Sequence, residues 1–249
     1  MSELEPVSKV EVGFFSFTEI TDPGAHRAYN EWHMLDHMPE QFPIPGVALG
    51  QRWVLTPAGA ARARATGPFA GVHYVTLYLM AGPVEETLDE FAALGQHLHD
   101  IDRWFEPRRS HVSGPWSVHA MAAAPRVAIR AEAIPARPHR GVHVSVAPAP
   151  GPVETGGADS AADLAAWCER PGVAGAWSFA PDPRFDHRRR HGDDLAITVA
   201  WLDADPGAGP IEVSAALPAR SDAVFAATCE TITPWQWDWF EDPPSASPY

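Results

Sequence analysis

Two copies of one four-residue sequence lie about half a chain apart in these 249 residues. Pro45-Gly46-Val47-Ala48 recurs as Pro171-Gly172-Val173-Ala174, and in both copies an aromatic residue, Trp53 or Phe179, follows eight positions after the proline. Matching motifs in the same order are typical of an internal duplication, since each copy keeps its own turns and strands. The chain is therefore predicted to contain two versions of one structural unit.

Each predicted unit has the element order β-α-β-β-α-β, which is that of ferredoxin-like α+β folds. Alternating β-branched and aromatic residues predict the strands, and capping signals such as Asp22-Pro23 and Ser160 predict where helices begin. In the first unit we expect strands over 9–17, 47–55, 72–80 and 110–121, and helices from 22 to about 39 and over 83–100. In the second unit we expect strands over 141–149, 174–181, 195–206 and 223–240, and helices over 160–169 and 211–219.

The predicted organisation is a first half with the candidate pocket, a linker, a second half and a tail, over residues 1–122, 123–140, 141–242 and 243–249. A four-stranded sheet with helices on one side leaves its other, apolar face bare, and such faces promote association. We therefore expect the two ferredoxin-like halves to pack sheet to sheet as an intramolecular α+β barrel.

The formal net charge of −14 argues against a nucleic-acid partner and against binding to anionic membranes, because both require a basic face. The N-terminus has acids where a secretion signal has basic residues, and no apolar run reaches the roughly 18 residues of a membrane span. Cys168 and Cys229 fit no metal-ligand spacing and are predicted to be buried free thiols. These features favour a cytoplasmic monomer or homodimer whose partner is a small-molecule substrate.

The first predicted helix carries a ridge of polar side chains. His26, Asn30, His33 and His37 are spaced i, i+4, i+7 and i+11, so they lie along one line beside an apolar stripe that should face the sheet. Histidine accepts and donates protons near neutral pH, so His37, followed by His33, is the predicted acid-base residue. A structural role for His37 at the helix C-terminus, where positive charge is favourable, is the alternative.

The strand predicted over 72–80 offers candidates on both of its faces. His73 lies on one face, while Tyr74 and Tyr78 lie on the other, and the sequence does not decide which face meets the helices. His73 is a third catalytic candidate if it lies opposite His37, and either tyrosine can donate to a developing oxyanion. Core packing is the alternative for each of them.

Four short pieces of the first half form a recognisable pattern. They are Tyr29-Asn30-Glu31-Trp32-His33, Asp36-His37-Met38-Pro39, Ile44-Pro45-Gly46 and the pair Arg52-Trp53. The pattern resembles that of EthD-like members of the dimeric α+β barrel superfamily, here in a fused tandem form. The resemblance implies a ligand pocket between the first helix and the sheet. Together with the strand tyrosines, the predicted substrate-binding residues are Tyr29, Asn30, Trp32, Arg52, Trp53, Tyr74 and Tyr78.

A metal site is an alternative reading of the same helix. His33 and His37 have the i, i+4 spacing that lets two imidazoles reach one ion, with Glu40 as a third ligand. Pro39 is expected to end the helix before Glu40, however, and the HExxH signature is absent. Haem is a further alternative, because chlorite dismutases and dye-decolorising peroxidases are similar barrels, but no residue here matches their motifs. We therefore expect no cofactor.

The second half lacks the histidine ridge, and its expected role is to complete the barrel. The run Arg188-Arg189-Arg190 is flanked by acids and is predicted to form a solvated hairpin rather than an anion site. Trp235, Trp237 and Trp239 alternate and are predicted to share one face of the last strand.

The resemblance implies enzymes that move protons on small carbonyl or phenolic compounds without a cofactor. The predicted function is a lyase or isomerase of the dehydratase, decarboxylase or cyclase type, acting on a small apolar compound by histidine acid-base chemistry. The alternatives are a cofactor-free monooxygenase, and a non-catalytic protein that binds a ligand, a metal or haem.

Overall fold

The computed structural model describes residues 9–149, 159–192, 194–206 and 220–240. The chain has an α+β fold in which strands dominate and helices are few. The strands are β1 Val10–Ile20, β2 Val47–Val54, β3 Arg64–Ala65, β4 Tyr74–Ala81, β5 Arg108–Ala123, β6 Gly141–Pro148, β7 Val173–Ala180, β8 Leu195–Leu202 and β9 Phe225–Thr231. The helices are α1 His26–Trp32, α2 Met38–Gln41, α3 Pro57–Ala60, α4 Val84–Asp100 and α5 Ala161–Cys168.

Eight of these strands form a closed antiparallel barrel. Their order is β2-β4-β1-β5-β7-β8-β6-β9, and β9 pairs again with β2, while the short β3 pairs with β9 outside the ring. Besides facing each other across the interior, the two halves are joined strand to strand, at β5–β7 and at β2–β9. The expected barrel is therefore one continuous sheet. The helix predicted over 211–219 lies outside the described residues.

The barrel interior is filled by side chains, as expected for a ring of eight strands. Aromatic residues from both halves meet there; Phe15 packs edge-to-face on Phe179, and Trp177 on Trp201, with ring centroids 4.9 and 5.9 Å apart. Aliphatic residues of β4, β6 and β8 complete this core, including Val75, Leu77, Leu79, Val142, Val144, Val146, Ile197 and Val199. A ligand site on this scaffold is therefore expected between the outer face of the sheet and its helices.

Strand alternation decides which residues face that outer layer. On β4, Val75, Leu77 and Leu79 point into the barrel, so Tyr74 and Tyr78 lie on the outer face. On β2 the same alternation separates the neighbours Arg52 and Trp53. Trp53 is part of the interior core, where its indole N–H donates to His139 Nε2 at 3.0 Å. Trp53 therefore lies on the opposite side of the sheet from the helices, away from the pocket in which it was predicted to contact substrate.

The segment predicted as a linker is part of the core. After β5 the chain forms a 3₁₀ turn over Ala131–Ala136 whose Ile134 is buried and contacts the interior cluster. The carbonyl oxygen of Ala131 accepts a hydrogen bond from the indole of Trp177, and that of Pro135 accepts one from Gln51. Residues 131–136 therefore pack against the barrel interior.

The last strand is shorter than predicted. β9 ends at Thr231, and Trp235 has a φ of 68°, which is incompatible with a continuing strand. Trp237 is buried, whereas Trp235 is 67% exposed. The prediction of one shared strand face for the alternating tryptophans is therefore wrong.

Both cysteines are buried free thiols, as predicted. Burial raises the pKa of Cys168 to about 11 and that of Cys229 to about 12, so both thiols are protonated at neutral pH. None of the described helices is long and apolar enough to cross a membrane.

The repeated turn depends on glycine in both halves. Gly46 has a φ of 91° and Gly172 a φ of 84°, and each precedes a strand at Val47 or Val173. A Cβ added at Gly46 would also lie 2.1 Å from Thr87 Oγ1. We expect Gly46→Ala to lower the free energy of unfolding by about 1–3 kcal/mol, measured by urea denaturation.

Gly95 provides a matched control for that substitution. It lies inside α4, and a Cβ added there meets no atom within 4 Å. Gly95→Ala is expected to stabilise the protein by roughly 0.5–1 kcal/mol, because alanine is the better helix former. Equal effects of the two substitutions would contradict the conformational argument.

Candidate functional site

The first helix changes register in its middle. α1 is followed by a π-helical turn over His33–His37 and then by α2, and the N–H of Met38 donates to the carbonyl of His33, five residues earlier. Pro39 lacks an N–H for the carbonyl of Leu35 and would crowd it in an ordinary α-helix. The wider turn lets the helix continue to Gln41, so the prediction that it ends near Pro39 is wrong.

The polar ridge of this helix faces the sheet. His26, Asn30, His33 and His37 are all at most 8% exposed. Burying several imidazoles without charge partners costs free energy unless they stay neutral. A polar layer is therefore enclosed between the helix and the outer face of β1, β2 and β4.

A cavity of about 480 Å³ opens beside this layer, in the range of pockets that bury drug-sized molecules. The helix contributes His33, His37 and Gln41, and the sheet contributes Phe14, Ser16, Thr76, Tyr78, Arg108, Arg109, Ser110 and Ser113. Phe91, Gly95 and Trp104 form another wall, and Arg188 and Arg190 lie at the mouth.

His37 is held in the cavity wall by aromatic contacts. Its ring stacks on Trp32 with centroids 4.5 Å apart and meets Trp104 edge-to-face at 5.4 Å. Its Nδ1 is buried and has no hydrogen-bond partner among the described residues. Desolvation, followed by the charges of Arg108 and Arg52, lowers the pKa of His37 to about 3. At neutral pH the imidazole is therefore uncharged, and the hydrogen-bonding capacity of its Nδ1 is unused by the described residues.

His33 is held by two tyrosines instead. Its Nδ1 lies 3.1 Å from the hydroxyl of Tyr29, and its Nε2 lies 3.4 Å from the hydroxyl of Tyr78. Burial, followed by the charge of Arg52, lowers its pKa well below the ordinary value. Burial also raises the pKa of Tyr78, so that phenol remains protonated and able to donate. His33 is thus uncharged and bridges the hydroxyl groups of Tyr29 and Tyr78, and Tyr78 lines the cavity.

Arg52 lies deep in the polar layer. Its guanidinium sits over the rings of Tyr29 and Tyr74, 4.9 and 5.6 Å from their centroids, and donates to Asn30 Oδ1 at 3.1 Å. It is 4% exposed, and its Nε and Nη1 have no hydrogen-bond partner among the described residues. A buried cation held by ring faces and one amide leaves donor capacity for an anion.

Arg108 brings a second positive charge into the cavity itself. Its guanidinium lies 4.2 Å from the ring centroid of Trp104 and 5.2 Å from that of Trp32, and Nη1 donates to Ser110 Oγ at 3.3 Å. Desolvation by burial is the main cause that lowers its pKa, because it disfavours the charged form of the half-buried side chain. An anionic ligand next to Arg108 would relieve that cost.

The predicted residues between the first helix and the sheet divide into two groups by position. His33, His37 and Tyr78 line the cavity. Tyr29, Asn30, Trp32, Arg52 and Tyr74 form the layer behind it, and their contacts position the lining residues.

His73 lies elsewhere, so the expectation that it lies opposite His37 is wrong. Its Nδ1 accepts the N–H of Ile20 at 3.0 Å, and its ring contacts that of His26 with centroids 4.8 Å apart. His26 in turn stacks on Phe240 at 3.6 Å. His73 directly precedes β4 and does not line the cavity.

Glu40, the third ligand of the metal site considered from the sequence, already has a partner. Glu40 pairs with Arg103 at 2.8 Å, and Asp36 pairs with the same guanidinium. Within the described ranges, no group of three or more histidines, cysteines and acids is placed to hold a metal ion.

The second half contributes residues to the cavity, and the sequence analysis did not predict this contribution. Arg188 ends a 3₁₀ turn over Pro183–Arg188, and Arg190 follows it. The backbone of Arg190 pairs with Ser113 of β5 through hydrogen bonds of 2.7 and 3.1 Å. This bridge carries the arginine run to the mouth of the cavity, so the run is not simply a solvated hairpin. The pocket is therefore not confined to the first half.

Comparisons with known proteins leave the reaction open. No protein-family model and no curated protein matches the chain. The crystal structure of an anthrone oxidase-like protein is 11% identical, with a TM-score of 0.48, over 91% of this chain and 93% of that one. That of a candidate monooxygenase from Lactobacillus acidophilus NCFM is 10% identical, with a TM-score of 0.39, over 88% and 93%. At these values the function has to be inferred from the site.

Proposed function

We propose that this protein is a cofactor-independent enzyme that removes a proton from a carbon or hydroxyl acid and holds the resulting oxyanion. The observation that carries the proposal is a buried His37, whose Nδ1 has no partner among the described residues, in the wall of a cavity that Arg108 also lines. His37 accepts the proton, and Arg108 interacts with the enolate or phenolate oxygen. A positioned base and a preorganised cation are the two elements that such a step requires.

The low pKa of His37 is compatible with this role. After desolvation, its main causes are the charges of Arg108 and Arg52. Negative charge that develops on the substrate beside these arginines offsets their effect on the imidazole. The pKa of His37 therefore rises as the oxyanion forms, and proton transfer yields an imidazolium paired with the anion.

Protonation of the substrate at a second position completes an isomerisation. Loss of hydroxide from the carbon β to the carbonyl, with the proton on His37 passing to the departing hydroxide to give water, completes a dehydration. In a decarboxylation, His37 instead returns its proton to the carbon that bears the carboxylate. Carbon dioxide then leaves, and the electron pair of the broken C–C bond restores the enolate or phenolate. Tyr78, which stays protonated and contacts His33, is a second donor at the cavity wall. We place the lyase or isomerase outcome first. Reaction of the same anion with molecular oxygen is the monooxygenase alternative.

We also propose that the halves are tandem ferredoxin-like copies related to EthD-like barrels. Their strands have corresponding orders, β2-β4-β1-β5 and β7-β8-β6-β9. The same glycine conformation precedes the second strand of each half. In each half, a helix also follows the first strand.

Deuterium exchange tests the proposed proton abstraction. The protein is incubated in D₂O with a panel of hydroxyaryl ketones and β-dicarbonyl compounds without added cofactor, and proton NMR follows exchange. We expect catalysed exchange that falls by about 100-fold or more in His37→Asn, because a positioned base contributes 10²–10⁴-fold. His119→Asn is the matched control, because His119 is exposed on β5 and does not line the cavity.

The same samples separate the alternatives. Exchange without oxygen uptake supports a lyase or isomerase, whereas stoichiometric oxygen consumption on an oxygen electrode assigns the monooxygenase. Ligand binding without exchange assigns a binding protein. Exchange that is as fast in His37→Asn as in the wild type refutes the role of His37.

A further inference from the structure

We infer that the substrate carries, besides its reacting oxygen, a separate anionic group that is recognised at the cavity mouth by Arg109 and Arg190. The substrate class is a hydroxyaryl carboxylic acid, or an aromatic acid of the same charge. This inference rests on the proposed function for the inner end of the cavity and adds the identity of the outer end.

The charge distribution at the mouth is the first argument. The lining contains four arginines, Arg108, Arg109, Arg188 and Arg190, and no aspartate or glutamate among the described residues. The chain as a whole has 32 acidic and 18 basic residues. A cluster of one sign inside a cleft raises the local concentration of ligands of opposite sign.

The arginines differ in how their charges are compensated. Arg188 pairs with Asp89 at 2.7 Å. Among the described residues, the guanidinium of Arg190 donates only to the backbone oxygen of Ser110, at a weak 3.4 Å. Within the same ranges no carboxylate lies within 4.0 Å of Arg109 or Arg190. The backbone bridge between Arg190 and Ser113 fixes where this side chain begins. Arg109 and Arg190 are thus the two guanidiniums at the mouth without an acid partner in the described chain.

The inner surface argues for a ligand with a hydroxyl group. Thr76 and Gln41 line the cavity, and both residues are 1% exposed. Neither Thr76 Oγ1 nor Gln41 Oε1 has a hydrogen-bond partner in the described structure. The amide oxygen of Gln41 only accepts, so it requires a donor such as a phenolic hydroxyl. Buried polar groups without partners are costly, which favours a ligand that satisfies them.

The walls between the two ends argue for a flat apolar body. Phe91 lies 4.9 Å from Phe14 and 5.1 Å from Tyr78, measured between ring centroids. Trp104 lines the same cavity. Aromatic rings arranged in this way pack against planar ligands. A hydroxyl at the inner end, a fused-ring body and a carboxylate at the mouth match the three parts of the cavity.

A matched pair of probes tests the inference by binding alone. The probes are 6-hydroxy-2-naphthoate and its neutral carboxamide, titrated into the full chain by isothermal titration calorimetry. We expect the acid to bind about tenfold more tightly than the amide at low ionic strength, with the difference shrinking in salt. Arg190→Gln and Arg109→Gln are each expected to weaken acid binding by about three- to tenfold and to leave amide binding unchanged.

The control is Arg62→Gln, which removes an exposed arginine that does not line the cavity and should leave both affinities unchanged. Equal affinities for acid and amide, an equal loss of both in Arg190→Gln, or no binding of either probe would each overturn the inference. The proposed function fails separately, through exchange that does not depend on His37. A preference for the acid would remain even if no exchange were found.

Discussion

Lowering the pH from 7.5 to 5 is expected to reduce the free energy of unfolding by about 4 kcal/mol through two histidines alone. His37 and His143 are buried, and desolvation is the first cause that lowers their pKa values from 6.5 to about 3 and about 4. Below pH 6.5 the unfolded chain binds protons at these positions while the folded chain does not. Stability is therefore full above about pH 7 and falls as the pH drops toward the folded pKa values, by roughly 1.4 kcal/mol per group and pH unit.

Urea denaturation at several pH values between 8 and 5 measures this effect. The pKa values of Asp182 and Asp203 are lowered as well, but these groups lose their contribution mainly below that range. His143→Gln should reduce the loss of stability between pH 7.5 and 5 by about 2 kcal/mol, because glutamine does not titrate. His119→Gln, at an exposed position, should leave the slope unchanged. A stability that is constant between pH 7 and 5 would contradict the neutral state assigned to His37.

Truncating the barrel core is the second large effect. Trp177 is fully buried, meets Trp201 edge-to-face at 5.9 Å and donates to the carbonyl of Ala131 at 2.9 Å. We expect Trp177→Ala to lower the free energy of unfolding by about 3–5 kcal/mol, because it leaves a cavity and removes the hydrogen bond to Ala131. Urea unfolding is again the measurement, with an unchanged m-value as evidence that the folded state remains compact.

Two further substitutions show which part of that loss comes from packing. Trp177→Phe keeps a ring in the core but loses the hydrogen bond, so it should cost clearly less than the alanine variant. Trp235→Ala removes an indole that is 67% exposed and should change stability by no more than about 0.5 kcal/mol. A loss below about 1 kcal/mol for Trp177→Ala would show that the interior around it is not packed.

The elements that could be predicted are those with strong local signals. Alternating apolar residues marked β4 and β6, and Asp22 does cap the turn at Pro23 through its side chain. The repeated Pro-Gly turn predicted where β2 and β7 start, because a turn with a positive φ favours glycine at that position. The pattern of the first helix likewise predicted buried histidines, as the structure shows for His33 and His37.

The parts that could not be predicted depend on contacts between distant segments. Pro39 normally ends a helix, and the π turn that carries the chain past it depends on i→i+5 hydrogen bonds that no residue type signals. The side of the sheet on which Arg52 and Trp53 lie follows from strand register, which the sequence left open. Arg190 reaches the cavity only because its backbone pairs with Ser113 of the other half. A run of arginines between acids has the same composition whether it faces water or a pocket.

The ring of strands has a consequence for how this protein meets other molecules. An open sheet presents unpaired N–H and C=O groups along its outermost strand, and such rims recruit strands from other chains into dimers or fibrils. In this protein β2, which would be a rim of the first half, hydrogen-bonds to β9, and β5 to β7. A second copy or a partner is therefore expected to attach to the described barrel mainly through side-chain surfaces. The first part of β2 and the two-residue β3 keep an outer backbone edge there.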